Sequence, residues 1–118
     1  MKSKIVALSK KEDFKNLLKK KKISNEYITI FFGILKGKDN KKLNISFVAK
    51  KKQIKNAVKR NRVKRRLRNI MNDLVKKISI NLNLSYLIIA KTTMLNNEYQ
   101  VIKETLFQDF KKIKQWKL

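Results

Sequence analysis

Catalysis by side chains needs titratable groups held close together, and this chain offers few that suit. It has no His and no Cys, which removes the usual neutral-pH base, the thiol nucleophile and the thiolate metal ligand. Its eight acids are Glu12, Asp13, Glu26, Asp39, Asp73, Glu98, Glu104 and Asp109, spread one or two to an element. Glu12 and Asp13, the adjacent pair, diverge by about 100° on a helix. No metal site and no catalytic residue is therefore assigned to the protein itself.

The cations carry more information. Lys and Arg number 32 against 8 acids, a net charge of +24 in 118 residues. An excess that large repels itself in a compact chain and makes sense beside a polyanion. Eleven of the cations fall between Lys50 and Arg68, and no acid stands between Asp39 and Asp73. All five arginines, Arg60, Arg62, Arg65, Arg66 and Arg68, lie within nine residues, while every other cation is Lys. As solubilising charge the two are equivalent. Only Arg offers a flat fork that takes two phosphate oxygens at once and stacks on bases. The confinement of Arg to one stretch points to a nucleic-acid contact there rather than to a solvated face.

A long helix must present that stretch. Asn56 can cap it, and Val63, Leu67, Ile70, Met71, Leu74 and Ile78 form its apolar stripe. On a helical wheel Arg60, Asn61, Lys64 and Arg68 fan out along the flank that borders the sheet. Arg62 and Arg66 lie on the other, outward flank, with Arg65 between. Ahead of it, Lys50 to Lys55 reads as a basic connector. The rest of the pattern is mixed. Ser9 and Glu12 have capping-box spacing, predicting a helix over 9–20. The segment 23–35 alternates as a strand, with Ile28, Ile30, Phe32 and Ile34 on one face and Tyr27, Thr29 and Phe31 on the other. Gly37-Lys38-Asp39-Asn40 reads as a turn into a second strand bearing Leu43, Ile45, Phe47 and Ala49, so a hairpin is expected. Tyr86 to Ala90 is a buried strand, and Asn97 with Gln100 opens a last helix carrying Val101, Ile102, Leu106, Phe110 and Ile113. Phe14, Tyr27 and either Phe31 or Phe32 are candidate base-stacking platforms, though for each residue taken singly a place in the core is the favoured reading. Trp116 reads as the end of that last helix, packed on the domain.

Length bounds the whole to one domain over 1–118 with a core of its own. The longest apolar run, Ile28 to Leu35, is far short of the roughly 20 residues of a membrane-spanning helix. Ile5 to Leu8 is too short for a signal peptide. A cytoplasmic protein that does not engage membranes is expected.

Asn56-Ala57-Val58-Lys59-Arg60-Asn61-Arg62-Val63-Lys64-Arg65-Arg66-Leu67-Arg68 resembles the RNR motif of the bacterial ribonuclease P protein subunit. Leu8 to Phe14 resembles that family's opening helix, Ile45 to Lys50 its third strand and Leu87 to Lys91 its last strand. The resemblance implies a single-domain α+β fold, an α/β sandwich of order α-β-β-β-α-β-α with helices on a small mixed sheet. It also implies an edge strand near Ile23 and a left-handed βαβ crossover through the long helix. The implied function is that of a protein subunit of ribonuclease P. It would bind the catalytic RNA and the 5′ leader of precursor tRNA, assist endonucleolytic removal of the leader, and need no protein partner. Mg²⁺ would be required by the holoenzyme and bound mainly by RNA. Carried over by position, Arg60, Asn61, Arg62, Lys64, Arg65, Arg66 and Arg68, with Lys51 and Lys52 before the helix, would bind RNA. Phe14, Leu18 and Phe32 would line the leader groove, Leu18 standing where many members carry a second aromatic. The alternative is a small basic ribosomal or other structural RNA-binding protein with no role in cleavage.

Overall fold

Strands whose alternate residues are all apolar must be covered on both faces, and Ser85–Ala90 is such a strand: Tyr86, Leu87, Ile88 and Ala90 are all buried. It takes the centre of the sheet. The computed structural model describes residues 5–96 and 98–115. Their elements run β1 (Ile5–Ala7), α1 (Lys11–Leu17), β2 (Lys21–Ser24), β3 (Ile28–Gly33), β4 (Leu43–Ala49), α2 (Ala57–Lys77), β5 (Ser85–Ala90), a 3₁₀ turn (Thr92–Leu95) and α3 (Tyr99–Lys114). The strands form one mixed sheet of order β1-β4-β5-β3-β2. β5 runs parallel to β4, which runs parallel to β1, while β3 is antiparallel to both β5 and β2.

This arrangement corrects the expected hairpin between the segments that became β3 and β4. β5 separates them. Two strands joined by the long loop 34–42 gained nothing from pairing with each other that each did not gain from the doubly apolar β5. The true hairpin is β2–β3, closed by Asn25, whose side-chain oxygen accepts from the N–H groups of Tyr27 and Ile28. The edge strand implied near Ile23 is β2. β1 was not foreseen, because three residues carry too little alternation to read.

The sheet divides two cores. On one face Ile28, Ile30, Phe32, Leu43, Ile45, Tyr86 and Ile88 meet Val63, Leu67, Ile70, Met71 and Leu74 of α2 and Ile102, Leu106, Phe110 and Ile113 of α3. On the other, Leu8, Leu17, Leu35 and Leu87 form a smaller cluster under α1. The helices and their stripes are those the spacing predicts, with differences at the ends. α1 starts at Lys11 after Lys10 and has no side-chain cap, so Ser9 does not close a capping box. It stops at Leu17 because the chain must turn into β2 four residues later. Asn56 does cap α2, accepting from the Lys59 N–H at 3.1 Å. Val101 is 45% exposed rather than buried. Ile34 is 60% exposed, since β3 has ended before it. Asn97 and Trp116 lie outside the described residues. Among the described residues no helix is long and apolar enough to cross a membrane.

Candidate RNA interface

α2 is anchored from both ends of its arginine-bearing half. The loop before it is folded by Gln53 and Ile54 N–H groups donating to the Lys50 carbonyl, at 3.1 and 2.9 Å, and is pinned by the buried Ile54. Lys50, Lys51, Lys52 and Lys55 are left exposed. Arg60 reaches back and donates from Nη1 to the carbonyls of Ile54 and Lys55, both at 2.8 Å, so this guanidinium locks loop to helix. On the opposite flank Arg66 donates to the Met94 carbonyl at 3.1 Å. That flank was expected to face outward; it leans instead on the 3₁₀ turn, because the chain after β5 folds back beside α2 before entering α3. Arg68 stands 6.0 Å from the centre of the Phe47 ring, a half-exposed aromatic on β4.

Asn61, Arg62, Arg65 and Arg68 are exposed and Lys64 is half-buried. Arg62, Lys64, Arg65 and Arg68 make no ion pair with an acid among the described residues. One helix therefore displays five donors, Asn61, Arg62, Lys64, Arg65 and Arg68, between two further guanidinium groups, Arg60 and Arg66, that tie it to the neighbouring loop and 3₁₀ turn. With Lys50, Lys51, Lys52 and Lys55 exposed on the loop before it, cations recur from the end of β4 along half of α2.

The second candidate surface is the sheet face opposite α2. Cross-strand partners share a face, so the register places Thr29, Phe31, Ser46, Val48, Leu87 and Ile89 together on it. α1 covers Leu87 through Leu17 and leaves Phe14, Phe31, Val48 and Ile89 half-buried around it. Leu18, one turn beyond Phe14 on the same side of α1, is 49% exposed. The result is a shallow apolar shelf with hydroxyls from Thr29 and Ser46, and β4 carries it straight into the Lys50 to Lys55 loop.

Phe32 does not belong to this shelf. It is 0% exposed in the core under α2 and α3, so neither ring face can meet a base. Tyr27, 3% exposed in the same core, is excluded likewise. Adjacent strand residues point to opposite faces, and both large helices landed on the Phe32 side. Phe31 takes the place assigned to Phe32. Val48 and Ile89 were not singled out from sequence. Their signal was the polar and apolar mixture on the second face of each strand, which means partial cover.

Comparison with known proteins gives this geometry its context. A family model described as Ribonuclease P matches residues 3–114. The chain belongs to the ribonuclease P protein family. The ribonuclease P protein component of Carboxydothermus hydrogenoformans is 32% identical over 108 residues, covering 91% of this chain and 90% of that protein. Two solved structures share the fold. Staphylococcus aureus RNase P protein superposes with a TM-score of 0.73 at 24% identity, over 92% of this chain and 94% of that one. RNase P protein from Thermotoga maritima gives 0.74 at 22% identity, over 91% and 96%.

A ribonuclease P protein works as the component of an RNA-based endoribonuclease in tRNA 5′ processing, with the RNase P RNA as partner. This accords with an interface built from ammonium and guanidinium groups.

Proposed function

We propose that the two surfaces divide the work, the α1-side shelf holding the single-stranded 5′ leader of precursor tRNA and the arginine half of α2 engaging the catalytic RNA. The carrying observation is the half-exposed strip of Phe14, Phe31, Val48 and Ile89 running into a lysine loop. Unpaired nucleotides need both parts, an apolar surface for base faces and cations that track the phosphates. A duplex would hide its bases and gain nothing from the strip.

Arg60, Asn61, Arg62, Lys64, Arg65, Arg66 and Arg68, with Lys51 and Lys52, supply the RNA-facing charge, and Phe14, Leu18 and Phe31 the stacking and apolar contacts. The protein binds the substrate strand and screens repulsion between two polyanions. The bond is cut by the RNA with Mg²⁺. Ammonium and guanidinium groups repel a divalent cation, so the ion is assigned to RNA phosphates and not to these side chains.

The test compares precursor tRNA with mature tRNA, each titrated against the catalytic RNA with and without protein. The protein should tighten precursor binding selectively, and Phe14→Ala with Phe31→Ala should remove most of that gain. Equal tightening of both tRNAs would overturn the assignment of the shelf.

A further inference from the structure

α1 has a second flank. On the side away from Phe14 and Leu18, a cavity of about 600 Å³ opens between α1 and the chain that follows β3. Lys10, Lys19 and Lys20 line it from the helix side, and Lys36 and Lys38 from the loop. Five lysines from segments about 20 residues apart thus line one cleft, in a chain whose excess charge should drive them apart, and all but Lys38 are without an acidic partner among the described residues.

Two of the lysines are positioned by packing. Lys38 donates to the Oδ2 of the buried Asp13 at 2.7 Å, which fixes the loop against the helix. Lys20 lays its stem over Gly33: a Cβ at that glycine would stand 2.7 Å from Lys20 Cγ and 2.9 Å from its Cβ. The bare backbone of Gly33 is what lets the Lys20 stem cross the end of the strand beside the cleft it lines. Gly37, at φ 77°, shapes the facing loop. Glu12 is the remaining acid on the lining, and the Asp13 charge is already matched.

We propose that this cleft is a second phosphate-binding site, taking the RNA strand that continues past α1 from the sheet-face shelf. The proposal rests on the leader reading above and extends it. The cleft holds lysines with no arginine fork and no aromatic face, so it grips phosphates as point charges and reads no base. α1 then acts as a bar with the strand engaged on both sides: stacked and sequence-tolerant beside Phe14, purely electrostatic beside Lys20.

The experiment uses the complex with catalytic RNA and a series of precursor tRNAs whose leaders lengthen one nucleotide at a time. The unaltered protein should show a first gain in affinity at short leaders and a second step at a greater length. In the Lys20→Gln, Lys36→Gln double variant the second step should vanish while the first stays. For long leaders its log affinity should fall with log salt less steeply by about 1.4, two contacts at roughly 0.7 each. A Lys112→Gln, Lys114→Gln variant, matched in charge on α3, should keep both steps and the full slope. A single step in the unaltered protein, or a second step that survives in the cleft variant, overturns the cleft alone. Loss of all leader dependence in the unaltered protein would remove the shelf reading beneath it as well.

Discussion

Arg68 shows what a guanidinium does that an ammonium cannot. Its Cζ stands 6.0 Å from the centre of the Phe47 ring, and the side chain remains exposed. Arg68→Lys keeps the charge and loses both the flat delocalised cation and the bidentate fork. It should weaken binding of the catalytic RNA by about 1 kcal/mol or more, read by direct titration; superimposable curves would show that charge alone matters. Phe31 and Phe32 make the complementary case. Phe32→Ala opens a cavity in the larger core and should cost about 3–5 kcal/mol of folding stability. Phe31→Ala should melt closer to the unaltered protein, yet lose about 1–3 kcal/mol of leader affinity. Thermal denaturation and leader binding together separate the two. The arginine stretch was legible because residue type differs along the chain. Which of two adjacent phenylalanines lies on the more open sheet face was not, because alternation gives opposite faces without saying which one the larger helices will cover.

At the scale of elements, α2 and α3 are strapped together by Lys103, whose ammonium lies 2.9 Å from Asp73 Oδ2, with the Tyr99 hydroxyl beside it. The hydrogen bond from Lys103, against an opposing effect of burial, holds the Asp73 carboxyl below its ordinary value, and the same bond raises Lys103. A lowered carboxyl stabilises the fold above its unfolded pKa of about 3.9, and that contribution is lost as pH falls through the folded value. A raised amine stabilises below about 10.4, and its share is lost as pH climbs past the folded value. The stability difference between the unaltered protein and Asp73→Asn should therefore be constant near neutrality and shrink toward acid below about pH 4. Melting curves between pH 6 and pH 2 check it, and a difference that stays level would dismiss the strap. Long periodic elements such as α2 and α3 could be read from the chain because their stripes repeat over several turns. β1, with three residues, could not, and the partner of β4 was misassigned because strand pairing is decided by a segment that lies some 40 residues further on.

For the molecule as a whole, the +24 charge sets how the complex answers to salt. If about six phosphates are neutralised, log affinity for RNA should fall with log salt at a slope near −4 to −5. A titration series in potassium chloride measures it, and a slope near zero would reject the electrostatic account. Charge and length were enough to read one small polyanion-binding domain, since both are sums over the chain and do not depend on register. The three-layer order was not readable in this way, because it hinges on where the last strand goes. That placement reaches beyond the finished fold. β5 is the final strand to leave the ribosome and the one that both β3 and β4 must pair with. Until about residue 90 has emerged, the nascent chain holds two half-sheets with nothing to join them. A highly basic peptide then waits, unfolded, on a machine made of RNA. Synthesis arrested before residue 84 should leave a chain that protease digests throughout, whereas a chain that has emerged past residue 114, with β5 paired and the apolar stripe of α3 on the core, should be protected.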